Sequence, residues 1–278
     1  MAKVINNVSG ISSTRSTITT PRVSIAAVMP WVRRILFFAA LVALWQIITL
    51  TAIWPDYVLP GPLEVFNSLV TGISSGVYIQ AAQVSLERLV IGYGISLVIG
   101  MVLGALIGRI RLLEETVGSL VLGLQALPSV CWLPLAILWF GLSEQAIIFV
   151  VVMGALFSIT LGVDAGVKNT SPVYLKAARN MGARGFRLYT QVILPAALPA
   201  IINGLKQGWT FAWRSLMAGE LLLFTVSLGN LLENGRELND ASQIIAVMLV
   251  IIFIGVMIDT LIFAPLERRV RARWGLAR

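Results

Sequence analysis

Residues 35–53 read ILFFAALVALWQIITLTAI, 19 positions without a charge. A helix needs about 20 mostly apolar residues to cross the roughly 30 Å hydrocarbon core of a bilayer, so this run reads as a membrane span. It is too long for the core of a signal peptide and lacks a small-residue cleavage site, so it is expected to be retained. Comparable runs follow at 89–108, 117–142, 146–163, 196–224 and 243–264, six in all. Composition agrees: 58% of the 278 residues are hydrophobic and 12% charged, against about 25% charged in a soluble domain, and mean hydropathy is +0.88. Helices satisfy their own backbone in lipid, so the expected fold is an all-α integral membrane protein with six transmembrane helices.

Residues 1–30 hold nine Ser or Thr in the first 24 positions and no sustained apolar run, which predicts a flexible tail before a membrane domain over 31–275. The net charge of +8 is topological and does not mark a nucleic-acid partner. Lys3, Arg15, Arg22, Arg33 and Arg34 precede or flank the first span, and Arg109 and Arg111 lie between the second and third. Lys168, Lys176, Arg179, Arg184 and Arg187 lie between the fourth and fifth, and Arg268, Arg269, Arg271, Arg273 and Arg278 follow the sixth. These are 17 of the 21 basic residues. The alternate loops, 54–82, 143–145 and 225–242, hold Arg236 against Asp56, Glu64, Glu144, Glu233, Glu237 and Asp240. Cytoplasmic segments carry the Lys and Arg excess, so both termini are expected in the cytoplasm.

The absence of histidine and the single Cys131 exclude His- or Cys-based metal sites, Ser-His and Cys-His nucleophilic pairs and an internal disulfide. An intramembrane enzyme would have to rely on a Ser-Lys or paired-aspartate site, and Asp259 is the one acid well inside an expected span. An ion-coupled transporter would be expected to show inverted repeats, and none is visible. Within the spans, Gly100, Gly104 and Gly108 form a small-residue stripe that reads as close helix packing. Pro128 and Pro134 should kink or split the third span, a defect tolerated where protein or a watery cavity covers it, so Gln125 and Trp132 beside them are candidates to line a path.

The fifth span is the most polar, with Lys206, Trp209, Trp213, Arg214 and Glu220 inside or at the end of its apolar frame. Charges at that depth raise a functional hypothesis, here a path for a small anion. The structural alternative has Lys206 and Arg214 snorkelling or pairing with backbone carbonyls or Glu220, and both readings stay open. Asp259 sits alone and reads as helix-to-helix glue.

The connection 164–192 contains Tyr174-Leu-Lys-Ala-Ala-Arg-Asn-Met-Gly182, nine residues, then Val192-Ile-Leu-Pro195. Ala177, Ala178 and Met181 share a helical face, Gly182 is a helix stop and Pro195 can open the next helix. A short helix along the membrane surface with small residues outward, Lys176 and Arg179 among them, suits docking in a groove of another protein.

With these residues in place, the chain resembles the permease subunits of bacterial ABC importers, whose loop reads Glu-Ala-Ala, three residues, Gly, nine residues, Ile-x-Leu-Pro. Ala177, Ala178, Gly182, Leu194 and Pro195 match, while Lys176 replaces the Glu and Val192 the Ile. Leu59-Pro-Gly-Pro62, Gln125-Ala-Leu-Pro128, Trp132-Leu-Pro134, Leu138-Trp-Phe-Gly141 and Leu194-Pro-Ala-Ala-Leu-Pro199 resemble its nitrate, aliphatic sulfonate, taurine and bicarbonate branch. The resemblance implies a type I importer permease in the bacterial cytoplasmic (inner) membrane, a homodimer carrying a small anion. A coupling helix between spans four and five would grip each of two cytoplasmic ATPase subunits, and an external or periplasmic solute-binding protein would deliver the substrate. The chain has no Gly-rich phosphate loop, so ATP and Mg are expected on the partner, with no cofactor on this chain. The other readings kept open are a permease for another small organic solute in the family and an ion-coupled transporter.

Overall fold

A computed structural model of the chain describes residues 25–274, all in helices and their connections. The helices are α1 (Ile25–Leu50), α2 (Pro62–Ser74), α3 (Val77–Ile107), α4 (Arg111–Gln125), α5 (Ser129–Phe140), α6 (Glu144–Lys168), α7 (Pro172–Asn180), α8 (Gly185–Glu220), α9 (Leu228–Glu237) and α10 (Ala241–Arg273). Five of them (α1, α3, α6, α8 and α10) are long and apolar enough to cross a membrane, and α4 with α5, bent by 104°, makes a sixth if counted as one span. The expected all-helical membrane fold is thus present. The tail expected over 1–30 lies outside the described residues up to 24, and its last six positions already belong to α1.

α6 is the centre of the bundle, packed between α3 and α8. The second-span glycines do what close packing predicts, and Gly92 and Ser96 extend their stripe one position in four toward the start of α3. A Cβ on Gly104 would lie 2.3 Å from the Thr160 carbonyl oxygen, and one on Gly100 2.9 Å from Ile159. On the other side of α6, a Cβ on Gly162 would fall 2.5 Å from Gly204 Cα, so α6 and α8 touch backbone to backbone. Leu89, Ile147, Val151, Ile159, Ile201 and Leu216 fill the core between the three helices. A second core joins α2, the start of α3, α9 and α10 through Val65, Tyr78, Leu228, Ala246 and Val247. Among the described residues α1 adds no fully buried side chain to either core and meets the second at Trp45, whose Nε1 donates to the Pro60 carbonyl at 3.1 Å.

Three boundaries depart from the sequence reading. The third span breaks at Pro128 alone. Within α5, Pro134 falls at the second residue of the α-helical part, Leu133–Phe140, which follows a 3-10 turn over Ser129–Trp132, and at the start of an α-helix a missing N–H leaves no bond unmade. α3 begins twelve residues before 89, because Arg88, which ends the apolar run in sequence, is buried inside the bundle and paired. α8 begins at Gly185 and does not wait for Pro195: a π-helical turn, Tyr189–Ile193, precedes the proline. A second such turn, Asp259–Phe263, precedes Pro265 in α10. A proline ring displaces the carbonyl four residues back, and a wider turn on its N-terminal side accommodates this without ending the helix.

Candidate functional site

α8 presents one polar face. Asn203, Gln207, Thr210 and Arg214, three or four residues apart and all exposed, form a stripe along it, with Lys206 at its edge. Two cavities open on this stripe. One of about 660 Å³ lies between α6 and α8 and is bordered by Gln125, Ser158, Asn203, Lys206, Gln207 and Thr210. The other, of about 390 Å³, lies under the break between α4 and α5, with Pro128, Ser129, Met153, Phe211 and Arg214 on its wall. Gln125 and Ser158 border both, and Gln125 Nε2 donates to Ser158 Oγ at 3.3 Å, so this pair forms the neck between them. The proline break is therefore what gives the third span a wall on the polar stripe: it ends α4 at Gln125 and turns the chain away below Arg214.

Of the path residues expected from sequence, Gln125, Lys206 and Arg214 lie on cavity walls. Trp132, Trp209 and Trp213 border neither of these two cavities. Trp132 packs on Phe149 and Phe157 of α6 with ring centres 6.4 and 6.2 Å away. Trp209 stands edge-on to Tyr93 at 5.4 Å and lies 6.0 Å from Phe263. Trp213 packs where the two cores meet, beside Gly255. Large rings bury the most apolar area, and each of the three is half-buried against its neighbours. Arg214 makes no ion pair among the described residues. Lys206 Nζ contacts Asp259 Oδ1 at 2.9 Å, so Asp259 is not alone.

Glu220 does not face a cavity and does not pair with Arg214. It is 0% exposed and sits in a cluster that the sequence did not reveal. Ser85 Oγ donates to Glu220 Oε2 at 2.7 Å, Arg88 Nη1 donates to Oε1 at 3.1 Å, and the Gly229 N–H donates to Oε2 at 3.2 Å. Arg88 Nη2 donates to Glu144 Oε1 at 2.8 Å and to Thr225 Oγ1 at 3.0 Å. Ser85 Oγ also accepts from the Leu228 N–H at 3.0 Å, and Ser227 Oγ from that of Asn230 at 3.2 Å. The first three N–H groups of α9 are thus each capped, two of them by side chains of other helices: Ser85 of α3 caps Leu228 from 143 positions away and Glu220 of α8 caps Gly229 from nine positions away. The cluster ties α3, α6, α8 and α9 at the end of the bundle that carries the acidic loops.

At the other end, α7 ends as expected. Gly182 has φ +84°, its N–H donates to the Arg179 carbonyl at 3.0 Å, and the Ala183 N–H donates to that of Ala178 at 2.9 Å. These two bonds with a left-handed glycine make a Schellman stop. The outward face differs from expectation. Ala178 is 3% exposed and turned inward onto the start of α8, whereas Lys176, Ala177, Arg179 and Met181 face out, Met181 at 82% exposure. Leu194 and Pro195 are half-buried in α8. A groove of about 480 Å³ separates α7 from the end of α10, with Tyr174, Met181, Val192 and Arg273 on its sides.

Comparison with known proteins gives this architecture its family. Residues 96–272 match the model of the binding-protein-dependent transport system inner membrane component. A provisionally named ABC transporter permease of Methanocaldococcus jannaschii is 31% identical over 80% of this chain and 84% of its own length. A provisionally named aliphatic sulfonates transport permease of Escherichia coli, SsuC, is 30% identical over 90% and 93%. The nitrate import permease NrtB of Leptolyngbya laminosa is 28% identical over 69% and 68%. The bent third span, the glycine-packed α3–α6–α8 core and the loop helix stopped by Gly182 are therefore those of a multi-pass membrane protein that belongs to the inner-membrane permease components of ABC importers.

Proposed function

We propose that two copies of this chain form the path of an importer for a small anion of the nitrate, bicarbonate, sulfonate or taurine class. The observation that carries the reading is Arg214: a cation exposed on a cavity wall, in line with the neutral hydrogen-bonding groups of Asn203, Gln207 and Thr210, and without an acid partner among the described residues. A fixed charge in a membrane-embedded helix is unfavourable by about 2.5–3.5 kcal/mol on insertion scales, and a wetted path for anions is a setting that offsets this. The site should attract and not trap, with selectivity left mainly to an external solute-binding protein. Relatives named for sulfonate and nitrate transport support the class.

ATP hydrolysis, with its Mg, belongs to two cytoplasmic ATPase subunits, each docked on α7 through Lys176, Ala177, Arg179 and the neighbouring groove. The distribution of Lys and Arg supports cytoplasmic termini and an α7 facing the cytoplasm. In vesicles holding permease, ATPase and binding protein, nitrate, bicarbonate, taurine and alkanesulfonates compete for uptake to identify the substrate. Arg214→Gln should lower uptake about tenfold, the scale of one lost charge-assisted hydrogen bond, with ATPase binding intact. Normal uptake by Arg214→Gln would rule the anion reading out.

A further inference from the structure

The path presents two cations, and they are unequal. Arg214 is bare, whereas Lys206, eight residues earlier and so about 12 Å along the same helix, is held by Asp259 at 2.9 Å. Lys206 borders the larger cavity; Asp259, the first residue of the π turn in α10, reaches its ammonium from outside that wall. Both side chains are half-exposed, 37% and 42%. The contact of α8 with α10 is already held by Trp209 on Phe263 and Trp213 beside Gly255.

We infer that Asp259 sets the strength of Lys206 as a second anion station, by competing with the passing anion for the ammonium. The inference rests on the anion path proposed above. An ammonium has three N–H donors and no preference between a protein carboxylate and an oxyanion of like charge, so either can occupy it. With Asp259 present, an anion leaving Arg214 meets a site that is attractive only while the carboxylate gives way, and departure is assisted by the carboxylate's return. Without it, two bare cations would line one path, and the inner one would hold what the outer one admits. Asn203, Gln207 and Thr210 supply neutral partners between the two stations.

The test uses the assembled complex in vesicles preloaded on the receiving side with nitrate, or with methanesulfonate if the competition above selects sulfonates. Asp259→Asn should make uptake of the labelled anion sensitive to preloading, with the half-inhibiting concentration about fivefold lower than in the parent, the factor that an exposed ion pair withholds. Asp259→Ser, which removes the charge but leaves an acceptor, is read in the same way should the Asn variant fail to assemble. Adding Lys206→Met to either should abolish the added sensitivity. Unchanged sensitivity in both Asp259 variants, or sensitivity that persists without Lys206, overturns the inference. Arg214→Gln separates the two levels: impaired uptake there with no effect of preloading on the Asp259 variants removes only the role of Asp259, whereas normal uptake there removes the anion path and this inference with it.

Discussion

Two ion pairs join α8 to its neighbours, and their surroundings are opposite. Arg88 and Glu220 are 4% and 0% exposed and share four further hydrogen-bonding groups; Lys206 and Asp259 are half-exposed and, among the described residues, pair only with each other. The chemistry of a cation and a carboxylate is the same in both. In the first, charges removed from water leave large unpaired penalties if either partner goes, so the cluster locks four helices together. In the second, solvent screens the pair and either partner can change hands at little expense in stability. Burial, more than residue type, separates a structural charge from one available for function.

The largest effect that would test this contrast is at Arg88. Arg88→Ala strands Glu220 at zero exposure, and loss of one partner of a buried pair is destabilising by about 3–5 kcal/mol. The expected outcome is loss of folded permease from detergent extracts, read by size-exclusion yield and thermal unfolding. Arg88→Met with Glu220→Gln should recover only part of it, because the Glu220 carboxylate also receives the Gly229 N–H and the Ser85 hydroxyl. Full recovery would mean that the cluster is an isolated pair and not a cap for α9.

This cluster was also the least legible part of the molecule. The spans are readable because each has an apolar frame near or above the length needed to cross a bilayer, even where Lys206, Arg214 or Asp259 interrupts it, and the α7 stop because Gly182 sits at the end of a short amphipathic stretch. Arg88 was passed over because it lies one residue before an apolar run, and its partner is 132 positions away, beyond any local pattern. α2 and α9 were read as loops, since ten to thirteen residues of mixed polarity carry no span signal. For Trp209 and Trp213, sequence places the residues in the polar span but does not say which way they turn, and both pack toward neighbouring helices. Arg214 and Gln125, which border the cavities, stand out in the sequence because polar groups in apolar frames are conspicuous whatever they pack on.

Between the two ion pairs in expected size stands the α6–α8 contact. Gly204→Val would place its Cβ 2.7 Å from Gly162 Cα and 3.2 Å from the Ser158 carbonyl oxygen. Both obstacles are backbone and cannot rotate away, so overpacking should lower stability by about 1–3 kcal/mol and shift the unfolding midpoint down. Gly123→Ala, with nothing within 4 Å of the added methyl, is the matched control and should unfold at the parent's midpoint or slightly above it. A drop at Gly123 as large as that at Gly204 would show that helix glycines matter here for reasons other than close approach.

The smallest expected change in stability is at the exposed pair, and it is the sharpest test of the contrast because its effect on transport should not be small. Lys206→Met with Asp259→Asn removes both charges at once, so neither is left unpaired. Exposed pairs contribute about 0–1 kcal/mol, and two fewer charges in a membrane-embedded region offset part of that, so the unfolding midpoint should stay close to the parent's. Uptake should nevertheless fall, since the path then has one cationic station where the parent has two. The same double removal at Arg88 and Glu220 should do the reverse, lowering the midpoint steeply and reducing uptake only in proportion to the folded protein that remains. Equal midpoint shifts at the two pairs would mean that the second protomer or the lipid buries Lys206 and Asp259 as deeply as the bundle buries Arg88 and Glu220, and the distinction drawn from exposure would fall.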